Sequence, residues 1–307
     1  MTLLAIILAL AIDQAKPLPA AQIQAWLQAY GRFLESRFNA GEHHHGFAAW
    51  MSGVAAPVAL LLALQMLLAY FSHPLFSLAL GVVVLYLTMG FRQFSHFFTD
   101  IHLALRMGEP GRARQLLAEW RGGSTEHLGS GEVARLAIEE ALVSSHRHVF
   151  APLFWFVLLG PAGALLYRLS FNFQRQWGER RDPEFGDFGV FAAQAFAVID
   201  WLPVRATALS FAVVGDFEDA VYCWRNQARR WAEEGAGILL ASGAGALGVR
   251  LGMPLRADGE MADRPELGLG DEADADFMQS TIGLVWRTLV MALFVLTLLW
   301  ISSWVGN

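Results

Sequence analysis

Charge and sulfur are scarce in this 307-residue chain: 16% of it is Asp, Glu, Lys or Arg, and it holds one lysine, Lys16, and one cysteine, Cys223. A single cysteine excludes an internal disulfide, so the polar parts owe nothing to oxidising conditions, and Cys223 reads as a small buried residue. The lone lysine precedes a proline, so no Gly-Lys-Ser/Thr can be written and a Walker-type ATPase is excluded. A His-Glu-x-x-His helix, a nucleophile elbow and a Gly-rich dinucleotide turn are missing too. The net charge is −6, and no Lys/Arg cluster stands out beyond arginines flanking apolar runs, so nucleic acid is not an expected partner.

Apolar residues fill the chain instead, at 55%, in runs spread from Leu3 to Val305. That composition predicts an all-α integral membrane protein whose main partner is the lipid bilayer. Residues 1–307 read as one membrane domain of about four to six membrane segments, two of them broken or re-entrant, with amphipathic cytoplasmic helices. No basic residue precedes the apolar start and no small-residue cleavage site follows it, so Met1 to Ile12 is expected to be a partial or first membrane helix ending near Asp13, not a cleaved signal.

Ile23, Trp26, Leu27, Tyr30, Phe33 and Leu34 recur at helical spacing and predict an amphipathic helix over 22–38. Phe47 to Phe71 is uncharged and, at about 1.5 Å per residue, roughly 38 Å long as a helix, enough to cross. His73-Pro74 then breaks the chain before the uncharged run Leu75 to Gly90, which predicts a helical hairpin. Residues 91–148 form the main polar excursion, rich in arginine and therefore cytoplasmic by the positive-inside rule. In it, Phe91, Phe94, Phe98, Ile101 and Leu105 continue the preceding span as an amphipathic helix, Pro110 opens a helix that Gly122-Gly123 stops, and Ser130 caps a third.

Two further apolar runs carry groups that a bilayer tolerates poorly. Val149 to Tyr167 contains Pro152 and Gly160-Pro161; Phe188 to Val214 contains Asp200, Pro203 and Arg205. As straight spans they would put Arg168, Arg175, Arg180 and Arg181 outside, so both are expected to be broken or re-entrant. A second polar excursion, 215–281, begins with a helix capped by Asp216, passes through a Gly/Ala-rich stretch from Ile238 to Met253 that is a close-packed helix or a loop, and ends in an acidic mobile loop over 256–276. Ile282 to Val305 is the last span.

Four constellations bear chemistry. Glu42-His43-His44-His45 has the donor types of a metal tract, against the plainer reading of polar residues at headgroup level, which is preferred; no metal site is assigned. His146 and His148 would point to different faces of a helix. Arg92, His96 and Asp100 recur every four residues and read as a structural ladder. Asp200 and Arg205, at membrane depth, face a cavity or each other, with Trp155 and Trp201 as interface anchors or binding groups.

Several of these residues resemble one family. Gly108-Glu109-Pro110-Gly111-Arg112-Ala113-Arg114, the helix bearing Val133, Arg135 and Glu139, the pentad Ala151-Pro152-Leu153-Phe154-Trp155, and then Gly160-Pro161, Tyr167, Gly178, Phe188-Gly189, Pro203, Arg205 and Thr207 follow in the order found in the CobD/CbiB cobalamin-biosynthesis membrane proteins and their AmpE-type relatives. The likeness runs from Asp13 to about Trp224. Asp200-Trp201-Leu202-Pro203-Val204-Arg205 is similar to the AmpE-like Asp-Trp-Val-Pro-Val-Arg. Departures lie at the synthase acids: Gly-Arg-Asp-Thr reads Gly122-Gly123-Ser124-Thr125, Ala-Glu-Asn reads Leu142-Val143-Ser144, and the paired aspartates before the Pro-x-Arg turn read Phe196-Ala197.

The resemblance implies a multi-pass protein of the bacterial inner membrane. With most synthase acids gone, it favours an AmpE-like protein that binds a small molecule or protein partner on the cytoplasmic side in envelope signalling of the β-lactamase-induction type. The ligand-binding candidates are Thr125, Arg135, Glu139, Trp155, Asp200 and Arg205, with no catalytic residue and no cofactor assigned. The alternative is adenosylcobinamide-phosphate synthase, an ATP- and magnesium-dependent enzyme that forms an amide between an aminopropanol group and a corrinoid.

Overall fold

The computed structural model describes residues 2–16, 20–71, 73–180, 182, 185–257 and 260–305. In chain order the helices are α1 (Thr2–Ala15), α2 (Ala20–Phe38), α3 (His43–Trp50), α4 (Ala56–Phe71), α5 (Pro74–Thr88), α6 (Phe91–Arg106), α7 (Pro110–Arg121), α8 (Ser130–Ser145), α9 (Ala151–Leu159), α10 (Pro161–Phe173), α11 (Val190–Val214), α12 (Phe217–Gln227), α13 (Glu234–Leu247) and α14 (Ala275–Val305). Five short strands lie between the last two: β1 (Val249–Gly252), β2 (Leu255–Ala257), β3 (Glu260–Ala262), β4 (Glu266–Leu267) and β5 (Asp271–Glu272).

Four helices are long and apolar enough to cross a membrane: His43–Phe71, Ser130–Leu159, Val190–Val214 and Ala275–Ser302. The first and last match the predicted spans. The second was not foreseen, because its amino-terminal half carries Glu132, Arg135, Glu139 and Glu140 and reads as part of the polar excursion. It runs on through wide helical turns at Met51–Ala55 in the first span and His146–Phe150 in the second.

The chain forms two compact units, Met1–Phe91 with Arg147–Pro203, and Arg92–His146 with Val204–Asn307. In the first, the stripe of α2 packs as predicted through Leu27, Tyr30 and Leu34 onto Trp50, Val54, Phe173, Trp177 and Phe188, while Trp26 and Phe33 stay exposed. The rings of Phe173 and Trp177 stack nearly parallel, 4.2 Å apart between centroids. The hairpin of α4 and α5 forms, with His73 Nδ1 accepting from the Leu75 N–H at 3.4 Å. Arg181 lies outside the described residues; Arg180 pairs with Glu35 and Asp182.

Prolines decide how the two interrupted runs behave. The first run breaks as expected, at Gly160, whose φ of 65° and ψ of −151° end α9 before Pro161 opens α10. The second does not: α11 is one helix of 25 residues with Pro203 inside it. A proline lacks an N–H, so the carbonyl four residues earlier loses its helical donor. For Pro203 that carbonyl belongs to Ile199, and it accepts instead from the indole Nε1 of Trp155 at 3.2 Å. For Pro152 it belongs to His148, which accepts from the Gly90 N–H at 3.2 Å. Each orphan is satisfied from outside its own helix, which removes the cost that would have broken α11.

In the second unit, α8 packs with α13 and α14. The Gly/Ala-rich stretch is a close-packed helix as far as Leu247 and then strand β1: a Cβ on Gly243 would lie 2.7 Å from Leu142, and one on Gly245 2.5 Å from the Asp219 carbonyl. The preceding helix is capped as predicted, Asp216 Oδ1 accepting from the Asp219 N–H at 3.1 Å. Two expectations shift. α8 starts one residue early, with Gly129 as cap and its N–H donating to Glu132 Oε2 at 2.7 Å; α6 is separate from α5, broken at Met89-Gly90. The acidic segment after α13 is strand-bearing, β1 pairing antiparallel with β4 and parallel with β5, and β2 pairing with β3. Its glycines at positive φ, Gly252, Gly268 and Gly270, supply the turns.

Candidate functional site

Two polar clusters form, one in each unit. In the second unit, Arg135 and Glu139 lie one turn apart on α8 and face the turn that follows β1. Glu139 is 5% and Arg135 7% exposed. Glu139 Oε1 accepts from the Gly252 N–H at 2.9 Å, and Oε2 pairs with the Arg264 guanidinium, which lies 4.9 Å from the Trp231 ring centre. Arg135 Nη1 donates to the Met253 sulfur at 3.3 Å. Met253 has a φ of 67°, the only positive φ outside glycine among the described residues, a strained conformation that must be held by its surroundings.

The donors outnumber the acceptors. Arg135 Nε and Nη2 and Arg264 Nη1 are shielded from solvent and have no hydrogen-bond partner among the described residues. A buried donor left unpaired costs about 1–3 kcal/mol, more when charged, so three pointing from two guanidiniums fit an anionic ligand. Both Glu139 oxygens are engaged, so the cluster offers no carboxylate to a divalent cation; magnesium does not fit here.

In the first unit, Tyr167 donates its hydroxyl to Asp200 Oδ1 at 3.0 Å, and Arg168 Nη1 lies 3.0 Å from His148 Nδ1. Arginine cannot accept, so His148 Nδ1 is the acceptor and its proton sits on Nε2. Arg147 and Arg175 lie over the ring of Phe171, at 5.4 and 6.0 Å.

The six sequence candidates therefore separate. Arg135 and Glu139 meet. Trp155 serves the Ile199 carbonyl in the first unit, where Asp200 meets Tyr167. Arg205 pairs with Glu234 at 3.0 Å in the second unit. Thr125 is buried, its hydroxyl donating to the Arg114 carbonyl at 2.8 Å, which fixes the turn after α7. His146 Nδ1 meets Thr207 Oγ1 at 2.9 Å, whereas His148 Nδ1 meets Arg168; His96 meets Asp100 at 3.4 Å. Sequence reasoning missed Arg264, Gly252 and Met253. The available signal was an arginine and several glycines inside an acidic stretch, a pattern that favours ordered turns over a mobile loop.

Comparison with known proteins gives the family. No solved structure matches the chain. It is 36% identical over 277 residues to a cobalamin biosynthesis protein CobD of Stutzerimonas stutzeri, covering 88% of this chain and 89% of the relative. A CobD of Chromobacterium violaceum is 38% identical over 218 residues, 70% of each chain, and one of Mycobacterium tuberculosis 33% identical over 163 residues, 52% of each. The family model described as CobD/Cbib protein matches residues 2–301, and the chain belongs to that family.

Proposed function

We propose that this protein is an adenosylcobinamide-phosphate synthase of the bacterial inner membrane, which joins an aminopropanol group to a corrinoid carboxylate in an ATP-dependent reaction. The relatives' names support cobalamin biosynthesis over the envelope-signalling role that the Asp200–Arg205 likeness suggested. The carrying observation is the buried Arg135 beside the part-buried Arg264, with guanidinium N–H groups left over after Glu139 is satisfied. Two of the reactants in that chemistry bring anions, the carboxylate to be activated and the phosphates of ATP, and the product carries a phosphate.

In this reading Arg135 and Arg264 hold one such group by charge-assisted hydrogen bonds, and Glu139 fixes the direction of Arg264. ATP supplies the activation of the carboxylate. Magnesium has no carboxylate site in this cluster, and no step is assigned to it.

The test is complementation of a bacterium lacking its synthase, with membrane abundance of the protein measured in parallel. Restored corrinoid completion supports the proposal. A folded, membrane-inserted protein that restores nothing overturns it and returns the signalling role.

A further inference from the structure

The tract ahead of the first span has a geometry that its sequence reading left open. Glu42 is the cap residue of α3, yet its side chain makes no capping hydrogen bond. Instead Glu42 Oε2 lies 3.0 Å from His44 Nδ1. One ligand atom from each of Glu42, His44 and His45 falls within 4.8 Å of the others, and they form the only group of three or more metal-ligating side chains among the described residues. Nδ1 of His45 is shielded from solvent and has no hydrogen-bond partner among the described residues. His43 is turned elsewhere, its ring edge-on to Phe191 at 6.0 Å.

The backbone beneath these side chains is fixed. The Gly41 N–H donates to Asn39 Oδ1 at 2.9 Å, and the Gly41 carbonyl accepts from the Asp187 N–H at 2.9 Å. The Gly46 backbone sits so close to Phe188 that a Cβ there would lie 2.0 Å from its carbonyl oxygen. A helix start anchored on both sides holds ligands with less ordering cost than a free tail of histidines.

We propose that Glu42, His44 and His45 bind one divalent transition-metal ion of the zinc class. Two imidazoles and a carboxylate match that ion's donor preference and leave coordination positions for water. The site is independent of the Arg135 cluster, and its test does not read synthase activity.

The full-length protein in nanodiscs would be dialysed against Zn²⁺ and, separately, titrated with Co²⁺ followed by its visible absorption. One ion per chain is expected, with a Co²⁺ spectrum showing nitrogen ligation. His44→Ala and His45→Ala should each weaken binding by more than about tenfold, while His43→Ala leaves it unchanged. Both histidine variants remove side chains at the surface or its margin, and near-unchanged thermal unfolding without metal would confirm that they fold. Binding that survives both changes, or that falls equally in His43→Ala, would overturn the site, as would no Zn²⁺ retention by folded wild-type protein.

Discussion

Replacing Trp155 by phenylalanine isolates the device that lets a proline sit inside α11. The indole Nε1 donates at 3.2 Å to the Ile199 carbonyl, the group that Pro203 deprives of its helical donor. Phenylalanine keeps the aromatic body and removes the donor, leaving a carbonyl unpaired at a cost of about 1–3 kcal/mol. Pro203→Ala restores an N–H at position 203, which can reach the Ile199 carbonyl directly, so the indole bond becomes redundant. In the Pro203→Ala background the same Trp155→Phe change should cost only the lost ring volume. The two changes should therefore couple by about 1–3 kcal/mol, beyond the few tenths expected of independent sites. Pro203→Ala alone should be neutral or stabilising, since an interior proline costs about 3 kcal/mol when nothing compensates. Reversible unfolding in mixed micelles, measured for all four variants, reads the coupling. An equal cost of Trp155→Phe in both backgrounds would refute the compensation argument.

Three further outcomes follow from the same contacts. Glu139→Ala should destabilise the second unit by about 3 kcal/mol in thermal or denaturant unfolding, because it leaves the part-buried Arg264 guanidinium without its carboxylate partner, and Glu139→Gln should cost less; equal costs would argue against charge pairing there. Burial, reinforced by Asp219, pushes the Cys223 thiol up from 9.0 to about 11, which leaves about a hundredfold less thiolate at pH 8 than an unshifted thiol has. Maleimide labelling of the folded protein should accordingly be at least that much slower than of the unfolded chain, and comparable rates would contradict the burial. Gly160→Ala should cost about 1–3 kcal/mol, since φ of 65° with ψ of −151° is a region open essentially to glycine; an unchanged midpoint would mean the break relaxes.

Wherever one residue type dictates local geometry, the sequence disclosed the structure. The stripe of α2, the start of α7 at Pro110, the Asp216 cap and the break at Gly160-Pro161 all depend on neighbours a few residues away. What it hid depends on distant partners. The continuity of α11 rests on an indole 44 residues upstream, and no periodicity encodes that. The span Ser130–Leu159 was masked because its Glu139 is satisfied by tertiary contacts, a strand turn and Arg264, 113 and 125 residues away. Half of the candidate site was legible for a related reason. Arg135 and Glu139 are one helical turn apart and carry the family likeness, whereas Arg264 and Met253 come from a segment whose acidity suggested a mobile loop. Asp200 and Arg205 are five residues apart in sequence, and their described contacts are with Tyr167 and Glu234.

Corrinoid mass before and after incubation with the purified protein tests the proposed chemistry most directly. The full chain in nanodiscs would be given the corrinoid acid, an aminopropanol donor, ATP and magnesium, and the products resolved by mass spectrometry. An ATP-dependent gain of one aminopropanol amide, abolished in a folded Arg135→Met variant, is the expected result. An unchanged corrinoid mass from folded wild-type protein, with a known synthase active under the same conditions, would contradict it.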